Sequence, residues 1–266
     1  MDFTRKLREA VTRNESLMCI GLDPDPERLP AGVSIAQFNR EIIAATRDLV
    51  CAYKPNLAFY ESHGLEGMRA LEETVACIPP DVPVIGDAKR GDIGNTARHY
   101  ARALFDSFRF DAATVNPYLG FDSIEPFIAY QEKGVFLLCR TSNPSAKDFQ
   151  DLLVQDRPLY EHVALRATGW NAHGNIGLVV GATYPQELAR IRELCAEMNL
   201  LVPGIGTQGG DIEAVVRAGA DEKGAGIILN VSRAVIFASS GTDFAEAARL
   251  SAMSIRDEIN RHRILP

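Results

Sequence analysis

Eight short apolar runs, each followed by an amphipathic stretch, constrain this chain more than any other feature. The runs lie at 17–22, 51–56, 83–88, 111–115, 134–139, 175–180, 200–203 and 226–230. They are rich in Val, Ile, Leu and Ala, the composition of parallel strands covered on both faces. The stretches after them, near 35–50, 61–77, 93–107, 121–132, 158–172, 184–198, 211–218 and 243–260, carry helical spacing. Eight such alternations with no obvious linker predict a single-domain α/β fold over 1–266, a closed (β/α)8 TIM barrel. A doubly wound open sheet is the alternative, because periodicity alone does not report closure.

Two segments break the regular spacing. Residues 141–157, beginning Thr141-Ser142-Asn143-Pro144, form a long polar connection after the fifth run and read as a candidate lid. Gly204-Ile205-Gly206-Thr207-Gln208-Gly209-Gly210-Asp211, after the seventh run, is glycine-rich and opens onto a helix.

Composition narrows the partners. With 46% hydrophobic residues the chain can bury a sizeable interior, and its formal net charge of −7 disfavours nucleic acid and anionic membranes. No apolar stretch approaches the roughly 20 residues that span a bilayer, and Met1–Glu9 lacks a signal-peptide core. Cys19, Cys51, Cys77, Cys139 and Cys195 are odd in number, without redox or metal-ligand spacing. A soluble, cytoplasmic protein is expected.

In a barrel, chemistry gathers where the strands end at their C-terminal side. Those ends present Asp23, Lys54 with Asn56, Asp87 with Lys89, Asn116, Arg140 with Ser142, Gly181, the Gly204–Gly210 loop, and Ser232-Arg233. The densest part is Asp87-Ala88-Lys89-Arg90-Gly91-Asp92-Ile93-Gly94-Asn95-Thr96. Strand alternation places Asp87 and Lys89 on one face, and Asp92 follows a turn at Gly91. With Lys54 one strand away, a Lys-Asp-Lys-Asp chain can form. Such charges are costly to bury unless each is compensated. The plain structural reading is a salt bridge closing the barrel top. The glycine-rich loop and Arg233 together have the makings of a phosphate cradle, from backbone N–H groups, a helix N-terminus and a bidentate guanidinium.

Other candidates carry less. His63, His99, His162, His173 and His262 fall away from the strand ends, which disfavours a general base or zinc site. There is no nucleophile elbow, and Gly204-Ile205-Gly206 lacks dinucleotide-loop spacing. Trp170 reads as a packing residue.

The Asp87–Thr96 segment resembles the signature of the orotidine 5′-phosphate decarboxylase family, Asp-x-Lys-x-x-Asp-Ile at the end of the third barrel strand. The resemblance extends over nearly the whole chain. Gly21-Leu22-Asp23 looks like that family's first-strand end, Lys54 its second, and Pro203-Gly204-Ile205-Gly206 with Gln208-Gly209-Gly210-Asp211 its phosphate loop. The length and the Lys54-Pro55-Asn56 and Arg140-Thr141-Ser142-Asn143-Pro144 segments look like the family's longer bacterial branch. It implies a cofactor-free decarboxylation of orotidine 5′-monophosphate to UMP and CO2, in de novo pyrimidine biosynthesis. Lys89 would be the proton donor, flanked by Asp87 and Asp92, with Lys54 the second cation. Asp23 would hold ribose hydroxyls, Ser142 the pyrimidine, and Gln208 with Arg233 the phosphate. The resemblance also implies a homodimer in which Asp92 and Thr96 reach the neighbouring subunit's site. Ser232 stands where a glycine often precedes the arginine in that family.

Two rivals stand beside this reading. One is an Mg2+-dependent sugar-phosphate decarboxylase or aldolase of the same superfamily, which would want oxygen ligands where Lys54 stands. The other is a non-catalytic binder of phosphorylated nucleotides, which would need no internal chain of charges.

Overall fold

A computed structural model describes residues 1–205 and 211–263. The eight expected strands form one all-parallel sheet: β1 Met18–Leu22, β2 Ala52–Pro55, β3 Ile85–Arg90, β4 Ala112–Val115, β5 Gly134–Arg140, β6 Ile176–Val180, β7 Leu200–Pro203 and β8 Ile227–Val231. Neighbours in sequence are neighbours in space, and β8 pairs with β1 through Met18↔Leu229 and Ile20↔Val231. The remaining gap, between β2 and β3, is spanned by parallel bridges Tyr53↔Val84 and Asn56↔Asp87. Tyr53 N–H donates to the Pro83 carbonyl at 2.9 Å, and Leu57 N–H to that of Asp87 at 3.2 Å. The sheet is therefore a closed barrel, which decides against the open alternative.

Helices cover the outside at the expected places, among them Ile35–Thr46, Gly64–Cys77, Leu159–Trp170, Pro185–Leu194 and Phe244–His262. Their buried stripes, such as Phe38, Ile42 and Ile43, join the strand side chains in one core cluster. Trp170 packs against Phe121 with ring centroids 5.6 Å apart, in keeping with its packing role. No helix among the described residues is long and apolar enough to cross a membrane. Cys19, Cys51, Cys139 and Cys195 are buried free thiols, while Cys77 is exposed.

One helix lies outside the sequence expectation. Phe3–Asn14 is capped by the Asp2 carboxylate, which accepts from Arg5 N–H at 2.9 Å, and buries Phe3, Leu7, Ala10 and Val11. It closes the end of the barrel opposite the strand C-termini. Phe3 packs edge-on against Phe136 at 5.7 Å. A Cβ on Gly134 would come within 2.5 Å of the Phe3 ring, so the plug requires glycine there.

The long 141–157 connection carries regular structure of its own. It contains a 3-10 turn, Pro144–Asp148, and a short hairpin pairing Leu153–Val154 with Arg157–Pro158. Gln155 and Asp156 at the hairpin tip both have positive φ, 50° and 59°, as a primed two-residue turn demands.

Candidate active site

Asp87, at the C-terminal end of β3, organises the mouth of the barrel. Its carboxylate is almost fully buried and shared by two ammonium groups. Lys54 Nζ donates to Oδ2 at 2.8 Å, and Lys89 Nζ to Oδ1 at 2.6 Å. The Thr114 hydroxyl on β4 donates to Oδ1 at 2.9 Å. Burial pushes the Asp87 carboxyl up, but the charges of Lys54 and Lys89 overcome it and hold the group well below the usual carboxylate range. Burial likewise pulls Lys54 down. The carboxylates of Asp87 and Asp23 outweigh that pull, and Lys54 ends above the ordinary lysine value. Lys54 is thus a fixed, buried cation. Lys89 differs, since its side chain is 49% exposed and reaches from the wall into the opening.

The route from strand to site is not the simple alternation that the sequence suggests. Between the pairs Gly86↔Ala113 and Arg90↔Val115, three residues of β3 face one residue of β4. Lys89 sits in this bulge with φ +48°, a conformation unusual for a residue with a side chain. Asp87 and Lys89 do meet, but through a distortion rather than a regular pleat.

Around this network is a cavity of about 480 Å³, lined by Asp23, Lys54, Asn56, Asp87, Lys89, Thr114, Ser142, Asn230, Ser232 and Arg233, with Leu138, Val179 and Leu201 forming an apolar flank. Asp23 Oδ1, Asn230 Oδ1 and Ser232 Oγ face no hydrogen-bond partner among the described residues, although each atom is buried. Polar atoms left so cost about 1–3 kcal/mol each, a cost that a polar ligand removes. One buried and one half-exposed cation, an apolar wall and unpaired acceptors suit a flat, charged, hydroxyl-bearing molecule. A larger cleft, about 990 Å³, opens at the opposite end of the barrel. Its half-buried Arg192 is committed to backbone carbonyls of Cys195, Ala196, Met198, Gly219 and Gly226.

Comparison with known proteins agrees with this geometry. Residues 16–249 match the model of the "Orotidine 5'-phosphate decarboxylase / HUMPS family". The chain is 53% identical to the orotidine 5′-phosphate decarboxylase of Ralstonia nicotianae, with 99% of this chain and 100% of that one covered. Among solved structures it resembles Leishmania donovani OMP decarboxylase, with TM-score 0.88, 42% identity and 99% of both chains covered. It also resembles Leishmania donovani UMP synthase, with TM-score 0.90 and 44% identity, where 99% of this chain covers 57% of that one.

This chain belongs to the orotidine 5′-phosphate decarboxylase family.

Against the family signature, the structure distributes the expected residues unevenly. Lys54, Asp87 and Lys89 form a continuous Lys-Asp-Lys chain, and Asp23, Ser142 and Arg233 line the same cavity. Asp92 does not join that chain. Its carboxylate accepts from Ile93 N–H at 2.8 Å, and Thr96 is exposed on the helix Gly94–Arg102. Gln208 lies outside the described residues. Ser142 sits against Gly181, where a Cβ would fall 2.8 Å from the Ser142 backbone nitrogen, so the 141–157 loop packs directly on the end of β6.

Two strand-end residues turn out to serve the scaffold. Asn116 caps the following 3-10 turn by accepting from Tyr118 N–H at 3.0 Å. Arg140 is buried away from the cavity, donating to Glu187 at 2.5 and 3.2 Å and pairing with Asp151 at 3.2 Å, which ties the 141–157 loop to the helix Pro185–Leu194 that follows β6. The sequence reading missed Thr114 and Asn230. Each is a lone polar residue in an apolar strand, Ala112–Val115 and Ile227–Val231, and that interruption is the signal that marks them. Among the described residues no three His, Cys, Asp or Glu side chains gather as a metal ion would need.

Proposed function

We propose that this chain decarboxylates orotidine 5′-monophosphate to UMP and CO2, using its own side chains and no cofactor, within pyrimidine biosynthesis in the cytoplasm. The observation that carries this reading is one buried carboxylate, Asp87, held between Lys54 and Lys89 at the edge of a ligand-sized cavity. Loss of CO2 from C6 leaves the bonding pair on a ring carbon with no adjacent carbonyl to spread it. The site must meet that charge through its field and then with a proton. Lys89 Nζ faces the opening and gives the proton to C6. Its half-exposed side chain can regain a proton from solvent once product leaves. Asp87 stands beside the departing carboxylate, and their repulsion is relieved as CO2 forms.

The remaining contacts bind and orient. Asp23, with a buried unpaired oxygen, receives ribose hydroxyls, and Ser142 on the lid meets the pyrimidine. Arg233 with Gln208 grips the phosphate, the position barrels favour after the seventh and eighth strands. Asp92 and Thr96 serve the partner subunit of a homodimer, which accords with their standing off from their own chain's Lys89. The metal-dependent sugar-phosphate alternative fits less well, because the second strand end offers the buried ammonium of Lys54.

The deciding experiment incubates the protein with orotidine 5′-monophosphate and EDTA and follows the ultraviolet absorbance. Turnover that persists in EDTA and vanishes in a folded Lys89→Ala variant is the expected result. Activity abolished by EDTA, or near-normal activity without Lys89, would refute the assignment.

A further inference from the structure

We infer that Thr114 is a positioning residue for the proton donor, holding both the Lys89 backbone and the Asp87 carboxylate through a single hydroxyl. This rests on the decarboxylase reading above and assigns the bulge in β3 a purpose within it.

Three residues of β3 oppose one of β4 at this point, so the ladder cannot satisfy every backbone group. The Lys89 N–H turns instead to a side chain and donates to Thr114 Oγ1 at 2.9 Å. The same oxygen spends its only proton on Asp87 Oδ1, at 2.9 Å. Lys89 Nζ returns to that Oδ1 at 2.6 Å. The result is a closed ring: backbone of residue 89, hydroxyl, carboxylate, ammonium, and back along the lysine side chain. Each bond in it orients the next, since a hydroxyl that accepts from an amide is a better donor to a carboxylate.

The ring answers two problems that the site poses. A left-handed residue with a side chain persists only where its surroundings over-determine it. A half-exposed lysine with four rotatable bonds does not stay aimed by one ion pair alone. Thr114 addresses both, because it is buried to 1% exposure and its β-branched side chain has restricted rotamers. It touches no reacting atom in this account and acts through Lys89 and Asp87.

The test compares Thr114→Val, which keeps the shape but loses donor and acceptor, with Thr114→Ser, which keeps the hydroxyl. The valine variant should lose about 10- to 100-fold in kcat with KM changed less than about threefold, and serine should recover most of the loss. Amide hydrogen exchange at Lys89, read by NMR, should quicken in the valine variant and not in the serine variant. If Thr114→Val does not fold, Thr114→Cys, a weak donor and acceptor, takes its place in the same comparison. A folded valine or cysteine variant with wild-type kcat, or with unchanged exchange at Lys89, overturns the inference. Should the wild-type protein fail to turn over orotidine 5′-monophosphate, the decarboxylase reading falls, while the exchange measurement still decides whether Thr114 holds Lys89.

Discussion

At the scale of single residues, the site depends on Asp87 remaining ionised while buried between two cations. Its folded carboxyl titrates below the ordinary value near 3.9, so it binds fewer protons folded than unfolded in acid. The stability this contributes is fully present above that ordinary value and is lost as pH falls through the lower, folded one. Asp87→Asn removes the contribution and leaves Lys54 buried without its nearest counter-charge. A loss of about 3 kcal/mol at neutral pH is expected, with a shallower decline below about pH 4 than in the wild type. Denaturant unfolding over a pH series measures both. Arg233, exposed at the rim, should behave differently: Arg233→Ala is expected to raise KM strongly while leaving measurable turnover and an unaltered fold, by steady-state kinetics and thermal melting. Most of these residues could be read from the chain, because charged groups at the ends of apolar strands stand out. Thr114 and Asn230 could not be singled out so readily, since their roles follow from a bulge and from unpaired atoms that appear only in three dimensions.

Among the elements, the 141–157 loop depends on contacts outside the cavity. Arg140, at the end of β5, links Gln150, Asp151 and Glu187, and the loop lies against Gly181. Arg140→Gln should loosen this connection, raise KM severalfold and cost on the order of 2 kcal/mol, since Glu187 retains some access to water. Substrate kinetics with thermal unfolding separates the two effects. The eight strands and their helices were legible because a two-sided apolar strand and an amphipathic helix have different periods. The Phe3–Asn14 plug carries that helical stripe too, and is overlooked only when the eight-fold alternation is counted from its first strand. The hairpin tip at Gln155-Asp156 was opaque, because neither residue is the glycine or asparagine that usually announces positive φ.

For the whole molecule, the expectation is two sites per dimer, each completed across the interface. Mixing Lys89→Ala and Asp92→Ala subunits after separate purification should then restore activity neither parent has. If exchange is random, half the dimers are mixed and each holds one intact site, which gives about a quarter of wild-type activity. No recovery after verified subunit exchange would place Asp92 in its own subunit's chemistry or outside it.

The seam between β2 and β3 has a consequence of its own. Asp87 closes the barrel with its carbonyl, through Leu57 N–H, and joins Lys54 with its carboxylate. Any breathing of the wall at this junction therefore also dismantles the charge network. A nucleotide seated over Lys54 and Asp87 would act as a rivet, so occupancy and mechanical integrity of the cylinder should rise and fall together.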